Sequence, residues 1–283
     1  MTYTTLISTN QAYRHVYDSQ WRFVDSRYYL DNIQQGHQEY SQAHIPGALY
    51  ADLGKDLSAP VVPGVSSRHP LPDVNTLSQT FSSWGIGAQT QVVVYDQGPG
   101  MISARLWWML QWLGHEKVAV LEGGWKKWQD ESKPVGDELP VITPRTFNAK
   151  VHPEMIADAD EVLANIANAA IKILDARAAE RYRGENETLD PVAGHIPGAL
   201  SAPFSDNVTV DGSFRSNEEL QAMYQSLLGD TSTQDAIVYC GSGVTAAHNI
   251  LAMKHIGMGM ARLYPGSWSH WITDRQRPVA TGE

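Results

Sequence analysis

The sequence HIPGAL occurs twice in this chain, at His44–Leu49 and again at His195–Leu200. Three further blocks recur around it in the same order. They are Phe23–Arg27 with Ile173–Arg177, Val93–Asp96 with Ile237–Cys240, and Gly123–Trp128 with Gly266–Trp271. Matched blocks in one order over most of the chain indicate a duplicated domain rather than an array of short repeats.

Each copy alternates short β-branched runs with stretches of helical pattern, which predicts an α/β fold. Val92–Tyr95 and Ala236–Tyr239 are the clearest buried strands, and the helices after them stop at Gly114 and Gly257. We therefore expect two tandem domains, each a parallel β-sheet flanked by helices.

The segment Asp130–Pro153 contains several prolines and few long apolar runs, which is typical of a connector. We predict an N-terminal domain over residues 1–135, a linker over 136–153 and a C-terminal domain over 154–283. A chain of 283 residues with 42% hydrophobic residues has room for two such cores.

The formal charge of −10 argues against a nucleic acid or an anionic membrane as partner. The sequence shows no apolar run of membrane-spanning length and no signal-peptide pattern. One cysteine leaves no disulfide or CxxC pair. These features favour a cytoplasmic protein.

That single cysteine, Cys240, lies between a buried strand and a helical stretch, in the sequence CGSGVT. Backbone N–H groups and the helix dipole at such a place favour an anion, here a thiolate. The alternative is an inert, buried small side chain. The matching position in the first copy is Asp96, so a sulfur nucleophile can reside only in the second copy.

The duplicated Asp-Ser/Ala-Arg and HIPGA segments, the Gly-x-Trp-x-x-Trp blocks and the CGSGVT loop resemble the rhodanese superfamily in its tandem form. That form comprises thiosulfate and 3-mercaptopyruvate sulfurtransferases. The resemblance implies two rhodanese-like domains, the first non-catalytic because of Asp96, and a persulfide carried on Cys240. It implies no metal and no organic cofactor.

The resemblance also implies roles for other residues. Backbone N–H groups of the active loop would hold the sulfur anion, and Arg183 would bind the charged group of a small-molecule donor. The loop residues are Gly241, Ser242, Gly243, Val244 and Thr245. The acceptor would be a thiol, such as a dithiol or a thioredoxin-like protein, or cyanide. Asp52 and His69 would assist in a proton relay with Ser242.

Two donors stay open. The uncharged loop is similar to that of mercaptopyruvate enzymes, which favours 3-mercaptopyruvate. Those enzymes usually carry a second arginine before the HIPGA turn, and the stretch Glu185–Val192 has none. Thiosulfate is therefore the alternative main donor.

Two other functions compete with sulfur transfer. A cysteine phosphatase needs an arginine six positions after the cysteine to hold phosphate, and that position is Ala246. A non-catalytic binding or regulatory module is the remaining alternative.

Overall fold

The computed structural model describes residues 2–282, which form two compact units. The first unit comprises residues 2–59, 72–152 and 210–214, and the second comprises 60–71, 153–209 and 215–282. The stretch 136–152, which we expect to be linker, thus belongs to the first unit. The segment Pro60–Leu71, although it lies in the first sequence copy, belongs to the second unit.

The first unit contains one sheet of parallel strands with helices around it. Its strands are β1 (Leu6–Ile7), β2 (Trp21–Asp25), β3 (Leu49–Tyr50), β4 (Gln91–Tyr95) and β5 (Val118–Leu121), in the spatial order β1-β5-β4-β2-β3. Its helices are α1 (Thr9–Tyr13), α2 (Gln35–Gln42), α3 (Val74–Ser83), α4 (Ser103–Trp112) and α5 (Gly124–Asp130).

The second unit repeats this plan on a smaller sheet. Its parallel strands are β6 (Lys172–Asp175), β7 (Leu200–Ser201), β8 (Ala236–Tyr239) and β9 (Arg262–Leu263), in the order β7-β6-β8-β9. Its helices are α6 (Ala159–Asn165), α7 (Ala179–Arg183), α8 (Asn217–Leu228), α9 (Ala246–His255) and α10 (Ser267–Trp271). None of the helices within residues 2–282 combines the length and apolar composition needed to cross a bilayer.

The central strands β4 and β8 are buried along their whole length. Continuous burial, rather than an alternating pattern, is what helices on both faces of a parallel sheet produce. The predicted fold class, two α/β domains with parallel sheets flanked by helices, is confirmed.

A buried ion pair ties each central sheet to its HIPGAL turn. Arg27 Nη2 donates to Asp25 Oδ2 at 2.6 Å and to the carbonyl of Ala43 at 2.7 Å. In the second unit, Arg177 Nη2 donates to Asp175 Oδ2 and to the carbonyl of Gly194, each at 2.6 Å. The repeated Asp-x-Arg sequence is therefore structural, because each guanidinium links a strand end to the residue preceding the histidine.

The HIPGAL histidines are also held by the scaffold. His44 Nδ1 lies 2.7 Å from the carbonyl oxygen of Tyr40, and its Nε2 lies 3.1 Å from that of Glu138. His195 Nδ1 lies 2.8 Å from the carbonyl oxygen of Tyr182. Both rings fix turns, as the presence of the sequence in both copies suggests.

The loop between β4 and α4 is an anion cradle filled by its own carboxylate. Asp96 Oδ1 accepts hydrogen bonds from the backbone N–H groups of Gly98 and Gly100, both at 3.0 Å. Its Oδ2 accepts from Ile102 at 2.8 Å and Ser103 at 3.2 Å. Asp96 is fully buried. The loop of the first copy therefore has the converging N–H groups expected there, and its own Asp96 carboxylate is their acceptor.

The Asp96→Ala variant leaves these N–H groups without their anionic acceptor. We expect it to lower the free energy of unfolding by roughly 2–3 kcal/mol, measured by urea denaturation. Sulfate added to the buffer should recover more stability in this variant than in the wild type, because it can occupy the emptied cradle.

The Asp130→Ala variant, which removes an exposed carboxylate of the same unit, is the control and should be nearly neutral. Equal stabilities of the Asp96→Ala and Asp130→Ala variants, with equal responses to sulfate, would contradict the cradle interpretation.

Candidate active site

Cys240 follows β8 directly and begins the loop that leads into α9. The loop is fastened to the segment around α10 at three points. Cys240 N donates to Ser267 Oγ at 3.1 Å, and the Cys240 and Gly241 carbonyls accept from Trp268 N and Ser269 N, both at 2.9 Å. These bonds fix the backbone on which the sulfur is mounted.

Gly243 is the residue that lets the loop curl back. Its φ of +78° lies in the left-handed region, and a Cβ placed there would come within 2.4 Å of the carbonyl oxygen of Pro265. Any larger residue would have to displace backbone atoms, so the sequence needs glycine here. The turn brings the following N–H groups round toward the sulfur.

Cys240 is only 2% exposed. Burial raises the pKa of its thiol, but hydrogen bonds from the Thr245 side chain and from the backbone of Ser242, Ala246 and Gly243 lower it. Their combined effect prevails, and the pKa of Cys240 lies below its ordinary value. The loop therefore favours a thiolate, the nucleophilic form of the side chain.

Ser242 and His69, which the family resemblance implies as partners in a proton relay, lie in contact. Ser242 Oγ lies 2.7 Å from His69 Nδ1, and both side chains are buried. The histidine comes from the Pro60–Leu71 segment, whose backbone is held to the second unit by the bond from Arg68 N to Ser269 Oγ at 3.1 Å. A hydroxyl bonded to an imidazole can carry a proton to or from an adjacent reacting group.

Asp52, the other predicted auxiliary residue, lies in the first unit. Its Oδ1 accepts from the backbone N–H groups of Gly54 at 2.8 Å and Lys55 at 3.1 Å, and its Oδ2 lies 3.6 Å from Lys55 Nζ. These contacts give Asp52 a local role in its own turn.

The arginine placed against the loop is Arg181, whereas the sequence points to Arg183. A Cβ on Gly241 would lie 3.6 and 3.7 Å from the Arg181 Nη atoms. Arg183 Nη2 instead pairs with Glu185 Oε2 at 2.7 Å. Both arginines lie on the short helix α7, and residues two apart on a helix face different ways. Of the two, Arg181 is therefore the arginine that faces Gly241.

Sequence reasoning missed three more residues, one beside the loop and two that hold the arginines there. Arg68 Nη2 would lie 2.7 Å from a Cβ on Gly241. Glu187 and Asp190, both nearly inaccessible, accept hydrogen bonds from the Arg181 guanidinium at 2.9 to 3.2 Å. A weak signal was present for Arg68, which directly precedes His69. No sequence pattern indicated Glu187 or Asp190, apart from the absence of an arginine in the segment that contains them.

The comparisons with known proteins agree with this architecture. A family described as the rhodanese-like domain matches residues 8–131 and 158–274. A probable 3-mercaptopyruvate sulfurtransferase of Pseudomonas aeruginosa is 42% identical, with 100% of both chains covered. A putative thiosulfate sulfurtransferase of Mycobacterium tuberculosis is 39% identical over 92% of this chain and 90% of its own.

Among solved structures, the 3-mercaptopyruvate sulfurtransferase of Leishmania major matches with a TM-score of 0.86 and 29% identity. That match covers 98% of this chain and 76% of the other. The family model thus matches each half of the chain, and the structural match extends over both halves. The chain therefore belongs to the family of rhodanese-like proteins and carries two copies of the domain.

Proposed function

We propose that the protein is a sulfurtransferase that moves a sulfane sulfur from an anionic donor to a thiol or cyanide through a persulfide on Cys240. The observation that carries this proposal is the loop geometry, in which the Thr245 side chain and the backbone of Ser242, Gly243 and Ala246 donate hydrogen bonds to the Cys240 sulfur and so lower its pKa. The names of its relatives, mercaptopyruvate and thiosulfate sulfurtransferases, support the same chemistry.

In the first step, the Cys240 thiolate attacks the transferable sulfur of the donor, which is the sulfane sulfur of thiosulfate or the thiol sulfur of 3-mercaptopyruvate, and forms an S–S bond. With thiosulfate, the donor's S–S bond breaks and sulfite leaves with the electron pair. With 3-mercaptopyruvate, the C–S bond breaks, and the enolate that leaves takes a proton to become pyruvate. We assign the supply of that proton to the hydrogen-bonded pair of Ser242 and His69.

In the second step, an acceptor thiolate attacks the outer sulfur of the persulfide. The bond between the two sulfurs breaks, and Cys240 leaves as the thiolate that began the cycle. The product is the acceptor's persulfide, or thiocyanate when the acceptor is cyanide. Two covalent half-reactions predict ping-pong kinetics. A dithiol or a thioredoxin-like protein fits the acceptor role, and a reducing cytoplasm would keep Cys240 available as a thiol.

The family resemblance gives the donor-binding role to Arg183, and we assign that role to Arg181 instead. Its guanidinium lies against Gly241 and can give parallel hydrogen bonds to a carboxylate or a sulfonate-like group. The active loop Gly241–Thr245 holds the sulfur, and the first copy, with Asp96 in its cradle, serves no nucleophilic role.

Intact-mass spectrometry tests the persulfide directly. After incubation with donor, the mass should rise by one sulfur atom, dithiothreitol should remove the gain, and the Cys240→Ser variant should never show it. The absence of an adduct with both thiosulfate and 3-mercaptopyruvate would contradict sulfur transfer and favour a non-catalytic binding module.

The preferred donor is tested by steady-state rates with both donors, using cyanide and a dithiol as acceptors. The uncharged loop and the 42% identical relative lead us to expect a higher kcat/KM with 3-mercaptopyruvate. Equal values, or a higher value with thiosulfate, would make thiosulfate the main donor.

The pH dependence of Cys240 alkylation by iodoacetamide tests the cradle. The rate should rise with pH and level off below the range of an ordinary thiol, because the folded loop lowers the pKa. The Thr245→Val variant loses one donor to the sulfur, so its profile should move to higher pH by roughly one unit.

The Thr245→Ser variant keeps the hydroxyl and is the matched control, with a profile close to that of the wild type. A valine profile that coincides with the serine profile would show that the Thr245 hydroxyl does not stabilise the thiolate.

A further inference from the structure

Two guanidiniums, not one, lie beside the loop glycine that follows Cys240. A Cβ on Gly241 would be 2.7 Å from Arg68 Nη2 and 3.6 Å from Arg181 Nη1. The side chain of Arg68 is 32% exposed and that of Arg181 is 16% exposed. Both can therefore be reached by a small anion on the side of the loop next to the sulfur-bearing residue.

One buried carboxylate joins these two arginines. Asp190 Oδ2 accepts from Arg181 Nη2 at 3.1 Å, and its Oδ1 accepts from Arg68 Nη1. The Asp190 side chain is only 3% exposed. Glu187 Oε1 accepts from Asp190 N at 3.1 Å and thereby fixes the turn that carries the aspartate. Asp190 thus holds an arginine that is far away in the sequence at a fixed place beside Arg181.

The hydrogen bonds to the acids leave donors for a ligand. Arg181 uses Nε and Nη2 for Glu187 and Asp190, and Arg68 uses Nη1 for Asp190. Within residues 2–282, Arg181 Nη1 and the Arg68 Nε and Nη2 groups have no acceptor. Several N–H donors on two planar cations match the oxygens of one carboxylate or of the sulfonate-like group of thiosulfate.

We infer that Arg68 and Arg181 together form the site for the anionic group of the sulfur donor, and that Asp190 is the positioning residue that holds Arg68 in it. This inference rests on the proposed function. Because the anchoring acids are buried and the guanidiniums are partly exposed, the donor's anion meets N–H groups that are already oriented. Binding there places its sulfane sulfur beside Cys240.

Steady-state kinetics with thiosulfate test the assignment. The Arg68→Ala variant should raise KM by about 10- to 100-fold with little change in kcat, because an oriented charged hydrogen-bond donor to the anion is lost. The Arg68→Lys variant should show a smaller rise in KM than the Arg68→Ala variant. The Asp190→Asn variant should raise KM by roughly 10-fold, and it should do so less when Arg68 is already alanine.

Chemical rescue separates ligand binding from a merely structural role. Free guanidinium ion at low millimolar concentration should restore much of the KM of the Arg68→Ala variant. Inorganic sulfate should compete with donor less well in this variant than in the wild type. Melting temperatures show whether each variant is folded.

Two variants serve as controls. Glu185→Gln alters a neighbouring acid that pairs with Arg183, and Arg275→Ala removes an exposed positive charge from the same unit. Both should keep the wild-type KM. If folded Arg68→Ala and Asp190→Asn variants also keep it while Cys240 still forms a persulfide, the inference is overturned and the proposed function stands. If the wild type forms no persulfide, the proposed function itself fails.

Discussion

Both halves of this protein depend on the same electrostatic constraint. A loop between a buried strand and a helix turns several backbone N–H groups inward, and buried N–H groups require an acceptor. In the first unit that acceptor is the Asp96 carboxylate, which receives bonds from four residues of its loop. In the second unit the same position is Cys240, whose sulfur receives backbone bonds of the same kind. The fold supplies the cradle, and the side chain decides whether the anion in it can react.

Aspartate and cysteine differ in what they need from the loop in order to be ionised. A carboxylate is ionised at neutral pH without help, whereas an ordinary thiol is mostly protonated. Burial makes the difference larger, because it opposes charge on sulfur. The Thr245 side chain and the loop backbone together overcome that opposition. The second copy is therefore the one in which loop geometry has chemical consequences beyond stability.

In the second unit, acids and arginines alternate from the sheet outward to Gly241 of the active loop. Asp175 pairs with Arg177, Arg177 contacts Glu187, and Glu187 holds Arg181. Asp190 then links Arg181 to Arg68. The arginine side chains become more exposed along this series, from 1% to 16% to 32%. A fully buried guanidinium is committed to its partners, since an unpaired buried charge is costly, whereas the outer two keep N–H groups for a ligand. One continuous network thus serves structure at its inner end and, in the inference drawn above, donor binding at its outer end.

The sequence predicts the parts of this arrangement that local pattern controls. The duplication, the buried strands and the Cys240 loop follow from repeats, hydrophobic runs and glycine positions, and the structure has the predicted fold. The arginine at the loop is less accessible to sequence reasoning, because Arg181 and Arg183 lie on one short helix and only its rotation selects between them. The contact between Arg68 and Asp190 joins segments 122 positions apart. No repeat or hydrophobic period in the sequence indicates such a contact. Only the folded chain places Pro60–Leu71 in the second unit.

The deep burial of Cys240 agrees with a sulfur carrier once the two half-reactions are considered separately. In the first, the nucleophile must be a desolvated thiolate with its charge held by fixed N–H groups. In the second, the atom under attack is the outer sulfur of the persulfide, which is bonded to the cysteine sulfur at about 2 Å and projects beyond it. The inner sulfur can therefore stay in its cradle while the outer one meets the acceptor. The negative charge then returns to the sulfur that the loop is built to stabilise, and this makes Cys240 a good leaving group as well as a good nucleophile.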